Sequence, residues 1–303
     1  MKNRASFIAL LLGGLLIAGL PAASAGIVPD PMRIVDAADT PDCEEFVPAS
    51  YTLPIDDDGQ PVSLDVYVLL DVAKGAEVAI AQRDAKLSGD RSQIKKARGE
   101  FKALVKDAKG FLDKAPSSYA PLNIELNYKK WGLLKPLDAN GKARERTTDS
   151  QSIIDLSKEQ FGGTRPKGFD VVYVLTDLDM TAPEIGNAVA GQADCIGGVR
   201  YKQHAFAVGE ISAYENLELG PLTFYYAATS KIAAHEIGHL MGAHHHYQDC
   251  VEGIPTELDQ GEVSPCTLMT NAVDFQSLNF SLIEAAVVRG HALDYALAND
   301  KKG

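Results

Sequence analysis

Five of the seven histidines of this chain fall between residues 235 and 246, in the run His235-Glu236-Ile237-Gly238-His239-Leu240-Met241-Gly242-Ala243-His244-His245-His246. Imidazole nitrogen is a good zinc ligand, and the spacing decides which rings can share an ion. Residues 227–234 are rich in Ala and read as helix, so His235 and His239 stand at i and i+4 and project from one face, one turn apart. A continuing helix would carry later side chains away. Gly242 supplies a sharp turn, because without a Cβ it can adopt the left-handed conformation that ends a helix and lets His245 swing back. Three protein ligands leave a fourth zinc position for water. Glu236, beside the first ligand, can take that water's proton without itself becoming a ligand. With seven histidines in 303 residues, chance produces His-Glu-x-x-His-x-x-Gly-x-x-His in well under about one chain in a thousand. His244 and His246 point elsewhere on the turn and are expected to be exposed. A tract that merely buffers metal would need neither Glu236 nor Gly242.

The elements that must position these residues alternate between strand and helix. Ser63–Leu70 reads as the opening strand, and residues 76–115 as helical material split at Gly89. Leu122–Tyr128 alternates as a strand and Ser150–Phe161 reads as a helix. Asp170–Thr176 is a continuous apolar run suited to a strand buried on both faces. A Gly- and Ala-rich stretch at 186–198 and a short strand at Ala205–Ile211 precede the histidine helix. The alternation implies an α/β sheet.

At 303 residues the chain accommodates one large catalytic domain with trimmings. Lys2 and Arg4, the apolar run Phe7–Leu20 and Ala23-Ser24-Ala25 read as a cleavable export signal over residues 1–25, too short and too broken by Gly13, Gly14 and Pro21 to anchor in a membrane. Residues 26–62 contain six prolines and form a lead-in or short pro-region before a catalytic domain at 63–303. Asp56-Asp57-Asp58-Gly59 lacks the spacing of a calcium loop and is expected to be a solvated turn; calcium is otherwise left open. Loss of Lys2 and Arg4 takes the net charge from −12 to −14, which speaks against nucleic acid and anionic membranes as partners. Cys43, Cys195, Cys250 and Cys266 in an exported chain are expected to form two disulfides. Three pairings are possible, and the short loop between the last two favours Cys250–Cys266 with Cys43–Cys195.

The histidine pattern, together with Cys266-Thr267-Leu268-Met269-Thr270, resembles the metzincin zinc endopeptidases, in which a Met-turn lies beneath the metal. Within that clan the 170–176 strand, Gly-Gln-Ala-Asp-Cys at 191–195, Cys250 and Cys266 look most like the adamalysin or reprolysin group, although His246 stands where that group usually has Asp. The resemblance covers about residues 63–299. It implies an upper subdomain with a twisted mixed five-stranded sheet and helices, a smaller irregular lower subdomain ending in a C-terminal helix from about Phe280, and an active-site cleft between them. It further implies one catalytic zinc, with Met269 as support and not ligand. Polypeptide substrate would be bound as an extended strand along an edge near Ala188–Ala193, with a specificity pocket near Thr270–Val273. A monomer is expected. The alternative is a non-catalytic module that keeps the fold and binds zinc or a protein; Glu236 discriminates, because such a module has no need of the base.

Overall fold

The computed structural model describes residues 43, 59–182, 187–211, 216–219, 222–225, 227–245, 267–270 and 278–296, with the backbone alone at 187–188, 216–219 and 222–225. The chain divides into two units, Met1–Pro31 and Met32–Gly303, and all described residues lie in the second. The expected export signal, the Asp56–Asp58 turn, His246 and the Cys250–Cys266 pair fall outside them.

Strand β1 (Val62–Asp71) opens the domain and runs into helices α1 (Ala73–Ser88), α2 (Arg91–Phe111) and the short α3 (Ala115–Tyr119) before β2 (Ile124–Leu133). Gly89, with φ 68°, breaks the expected long helix in two. Asp90 then caps the second half by accepting the N–H of Ser92, which satisfies donors that no helical turn precedes. Helix α4 (Ser150–Gln160) and strand β3 (Val171–Thr176) follow, then the short strands β4 (Met180–Ala182), β5 (Asn187–Val189) and β6 (Gly191–Ala193). Strand β7 (Phe206–Glu210), the hairpin of β8 (Asn216–Leu219) and β9 (Leu222–Tyr225), helix α5 (Ala228–Leu240) and helix α6 (Leu282–Tyr295) complete the order.

The main sheet has five strands in the order β2-β1-β3-β7-β6, mixed as expected: β1, β2, β3 and β7 are parallel and β6 is antiparallel to β7. Strand β3 lies in the middle, and its two sides feed two cores. Val171, Tyr173 and Leu175 join the face covered by α5 and α6, while Val172 and Val174 pack with Ile153 and Ile154 of α4. Burial on both faces is why this strand carries no polar alternation. The expected substrate edge at 188–193 divides: Ala188 and Val189 pair with β4 in a separate two-stranded hairpin, and only Gly191–Ala193 forms the edge of the main sheet.

Cys43 is bonded to Cys195, with Cα atoms 5.1 Å apart, and its N–H donates to the carbonyl of Ile196. The lead-in segment is thus tied to the chain just after β6.

Candidate metal centre

Helix α5 carries His235, Glu236 and His239, all fully or almost fully buried. It is seated on the sheet by small residues, Ala233 and Ala234, and by the Tyr119 hydroxyl, which donates to Ala234 O at 2.8 Å. Its end is a Schellman turn: Ala243 N–H donates to Gly238 O and Gly242 N–H to His239 O, with Gly242 at φ 88°. That is the left-handed residue the sequence called for. The reversal brings His245 back to the helix, where its Nε2 lies 2.9 Å from Nε2 of His235. Ring centroids of His235, His239 and His245 are 4.6 to 4.9 Å apart, and one ligand nitrogen from each falls within 4.8 Å of the others.

Backbone carbonyls decide which nitrogen of each ring faces inward. His235 Nδ1 donates to Leu268 O at 2.7 Å, and His239 Nδ1 to Ala243 O at 2.8 Å. In each ring the proton is then on Nδ1 and the lone pair on Nε2 faces the other histidines. Burial, then the neighbouring rings, pushes the pKa of His235 well down; burial and His245 push that of His239 down to about 3. Two neutral imidazoles with inward-facing Nε2 lone pairs, and the Nε2 of His245 beside them, fit zinc. His239 Nε2, buried, has no hydrogen-bond partner among the described residues, an arrangement that costs free energy unless something accepts that lone pair.

Glu236 points from the same helix toward β6. The N–H of Asp194 donates to Phe206 O in β7, so the N–H of the preceding Ala193 faces the free edge of the strand. Glu236 accepts it. Its Oε1 is buried and unpartnered among the described residues. Burial raises its pKa well above the usual carboxylate range, with the Ala193 bond acting the other way. A cation on the three histidines would act in the same lowering sense. Gly191 makes room for this carboxylate: a Cβ there would lie 2.5 Å from Glu236 Oε1.

Beneath the histidines, Met269 is fully buried, and a Cβ on Gly238 would lie 2.9 Å from its sulfur. The turn 267–270 is braced from α6. Thr267 Oγ1 donates to Glu284 at 3.0 Å and accepts Met269 N–H at 3.1 Å, while Glu284 also closes the capping box of α6 with Ser281. Of the residues singled out from sequence, His235, Glu236, His239, Gly242, His245 and Met269 come together, and Cys43 and Cys195 pair beside β6. His244 is half-buried, not fully exposed. Sequence reasoning missed Gly191, Leu268 O and Glu284. Only the last had a signal, the Ser281-x-x-Glu284 capping box.

The model of the reprolysin-like metallopeptidases of family M12B matches the chain over residues 120–246, from the end of α3 to just past the third histidine. The chain is metzincin-like. The match supports a zinc metallopeptidase, and the braced Met269 turn of this metzincin-like chain lies outside the matched residues. Among solved structures, that of an archaemetzincin from Methanopyrus kandleri aligns at 17% identity, covering 81% of this chain and 98% of that one, with a TM-score of 0.40. No curated protein matches the chain.

Proposed function

We propose that this metzincin-like chain is a secreted, reprolysin-like zinc endopeptidase in which His235, His239 and His245 hold one zinc and Glu236 is the general base. The observation that carries the reading is the pairing of three inward-facing imidazoles with a buried carboxylate that reaches the free edge of β6. Zinc, when bound, supplies Lewis acidity toward a carbonyl and toward water. The chain's own groups do the rest. A polypeptide adding as a strand beside Gly191–Ala193 is positioned by main-chain hydrogen bonds, which brings its backbone to Glu236. Glu236 takes the proton of the attacking water at its carboxylate and delivers it to the departing amine nitrogen. Burial of the site excludes bulk water and strengthens these interactions. The signal-like first 25 residues and the Cys43–Cys195 bond support an oxidising, extracytoplasmic location.

The test is zinc content and casein cleavage by the purified chain and its Glu236→Ala variant. Equal zinc, with chelator-sensitive cleavage by the parent alone, is expected. Equal zinc with no cleavage by either, including after processing of residues 26–62, would favour the binding module.

A further inference from the structure

Between Arg91 and Trp131 ten Lys and Arg stand against four Asp and Glu, in a chain whose net charge is −12. The fold gathers this excess. Lys102, Lys106 and Lys109 lie at i, i+4 and i+7, on one stripe of α2, beside a cavity of about 540 Å³ that Trp131 also lines; Lys109 Nζ lies 5.9 Å from the Trp131 ring centroid, while at the cavity's rim on edge strand β2 Lys129 pairs with Asp65 and Lys130 lies over Tyr67. All five lysines are exposed, and no acidic side chain lines the cavity. Past Phe101 a second cavity of about 520 Å³ continues the groove, with Arg83 and Lys86 on its wall. Like charges one turn apart weaken a helix, and no carboxylate lies within ion-pair reach of Lys102 or Lys106 among the described residues.

We infer that this groove is an exosite for an acidic polysaccharide, whose carboxylates or sulfates pair with Lys102, Lys106 and Lys109 beside Trp131. Strand addition by a peptide is blocked along this edge. Trp131 Nε1 donates to Tyr128 O at 3.3 Å, Asn127 Nδ2 donates to Glu125 O at 3.0 Å, and the register slips at Lys129, all devices that close an edge. A protein surface would call for Arg and aromatic anchors, since Lys is depleted at such interfaces. Lysine, a compact charge on a flexible stem, suits anions spaced irregularly along a polymer. Single-stranded nucleic acid needs a succession of stacking platforms, and here only Phe101 and Trp131 line the cavity among aromatic side chains, with Lys109 already over the latter.

The probe is immobilised heparin, with the intact chain at neutral pH and low salt. The parent is expected to bind despite its negative net charge. Lys102→Gln/Lys106→Gln/Lys109→Gln should bind about tenfold more weakly, from about 0.5 kcal/mol per exposed ion pair. The equally charged control Lys142→Gln/Lys167→Gln/Lys202→Gln, exposed sites elsewhere, should bind like the parent. If the groove triple melts below the parent, Lys102→Gln/Lys106→Gln is read in its place. The inference is overturned by no binding, by equal loss in groove and control variants, or by an oligothymidine or polyglutamate that binds through the same lysines as tightly as heparin.

Discussion

Gly191→Ala tests the placement of the general base from outside the histidine motif. The backbone there is not in the left-handed region, so alanine brings no conformational strain. It brings a methyl carbon 2.5, 2.7 and 2.8 Å from Oε1, Cγ and Cδ of Glu236. Ordinary contact begins near 3.4 Å, so the carboxylate must retreat by somewhat under about 1 Å, or β6 must bend away from it. Overpacking of this kind costs about 1–3 kcal/mol of stability, and a displacement near 1 Å at a reacting group costs about 100-fold in rate. The assay is kcat/KM on a peptide, zinc stoichiometry and a melting curve for the parent, Gly191→Ala, Glu236→Ala and the double variant. Gly191→Ala should keep its zinc, lose about 100-fold in kcat/KM and melt lower. In the Glu236→Ala background the methyl has room, so the second substitution should cost little in either measure. Additive losses, or full activity in the single variant, would refute the packing of Gly191 against the carboxylate.

Three further outcomes are expected. Glu284 has its pKa raised to about 7, first by burial, against 4.5 for the free side chain; its contribution to stability is therefore complete below pH 4.5 and is lost as pH rises to about 7, by of order 3 kcal/mol. Glu284→Gln should flatten that part of a stability-against-pH curve. Gly242→Ala forces a Cβ to 2.6 Å from His291 Nε2 at φ 88° and should cost about 2–4 kcal/mol and weaken zinc binding, read by denaturation and chelator competition. Cys43→Ser opens a link between residues 152 apart and should cost about 2–4 kcal/mol in a denaturant melt.

The parts of this molecule legible in its sequence are those where one local pattern has one physical meaning. The apolar run of β3, the glycine that divides α1 from α2 and the histidine spacing on α5 are of this kind, and the mixed five-stranded sheet followed from the metzincin resemblance. Strands β4, β5, β8 and β9 are three or four residues long, too short for a period to emerge. The start of α6 at Leu282, not Phe280, was written in Ser281 and Glu284 and went unread. Other features have no local signature at all. Asp71 at the end of β1 accepts Arg144 at 3.1 Å and Arg146 at 3.2 Å, pinning the chain between β2 and α4 to the sheet, yet these residues lie more than 70 positions apart. Gly191 is one glycine among 26 until the helix that needs its missing side chain has been placed on the sheet.

The bond from His235 to the carbonyl of Leu268 also imposes an order in time. A chain made from its N-terminus has all three histidines well before Leu268, and Leu268 before Glu284, which braces the turn through Thr267. Until α6 has docked, the first ligand has no carbonyl to fix its proton, and the tautomer that offers Nε2 to the metal is only one of two. On the proposed reading, high-affinity zinc binding would therefore be a late event, coupled to the completion of the fold. A nascent or truncated chain carries the whole histidine motif without the means to aim it.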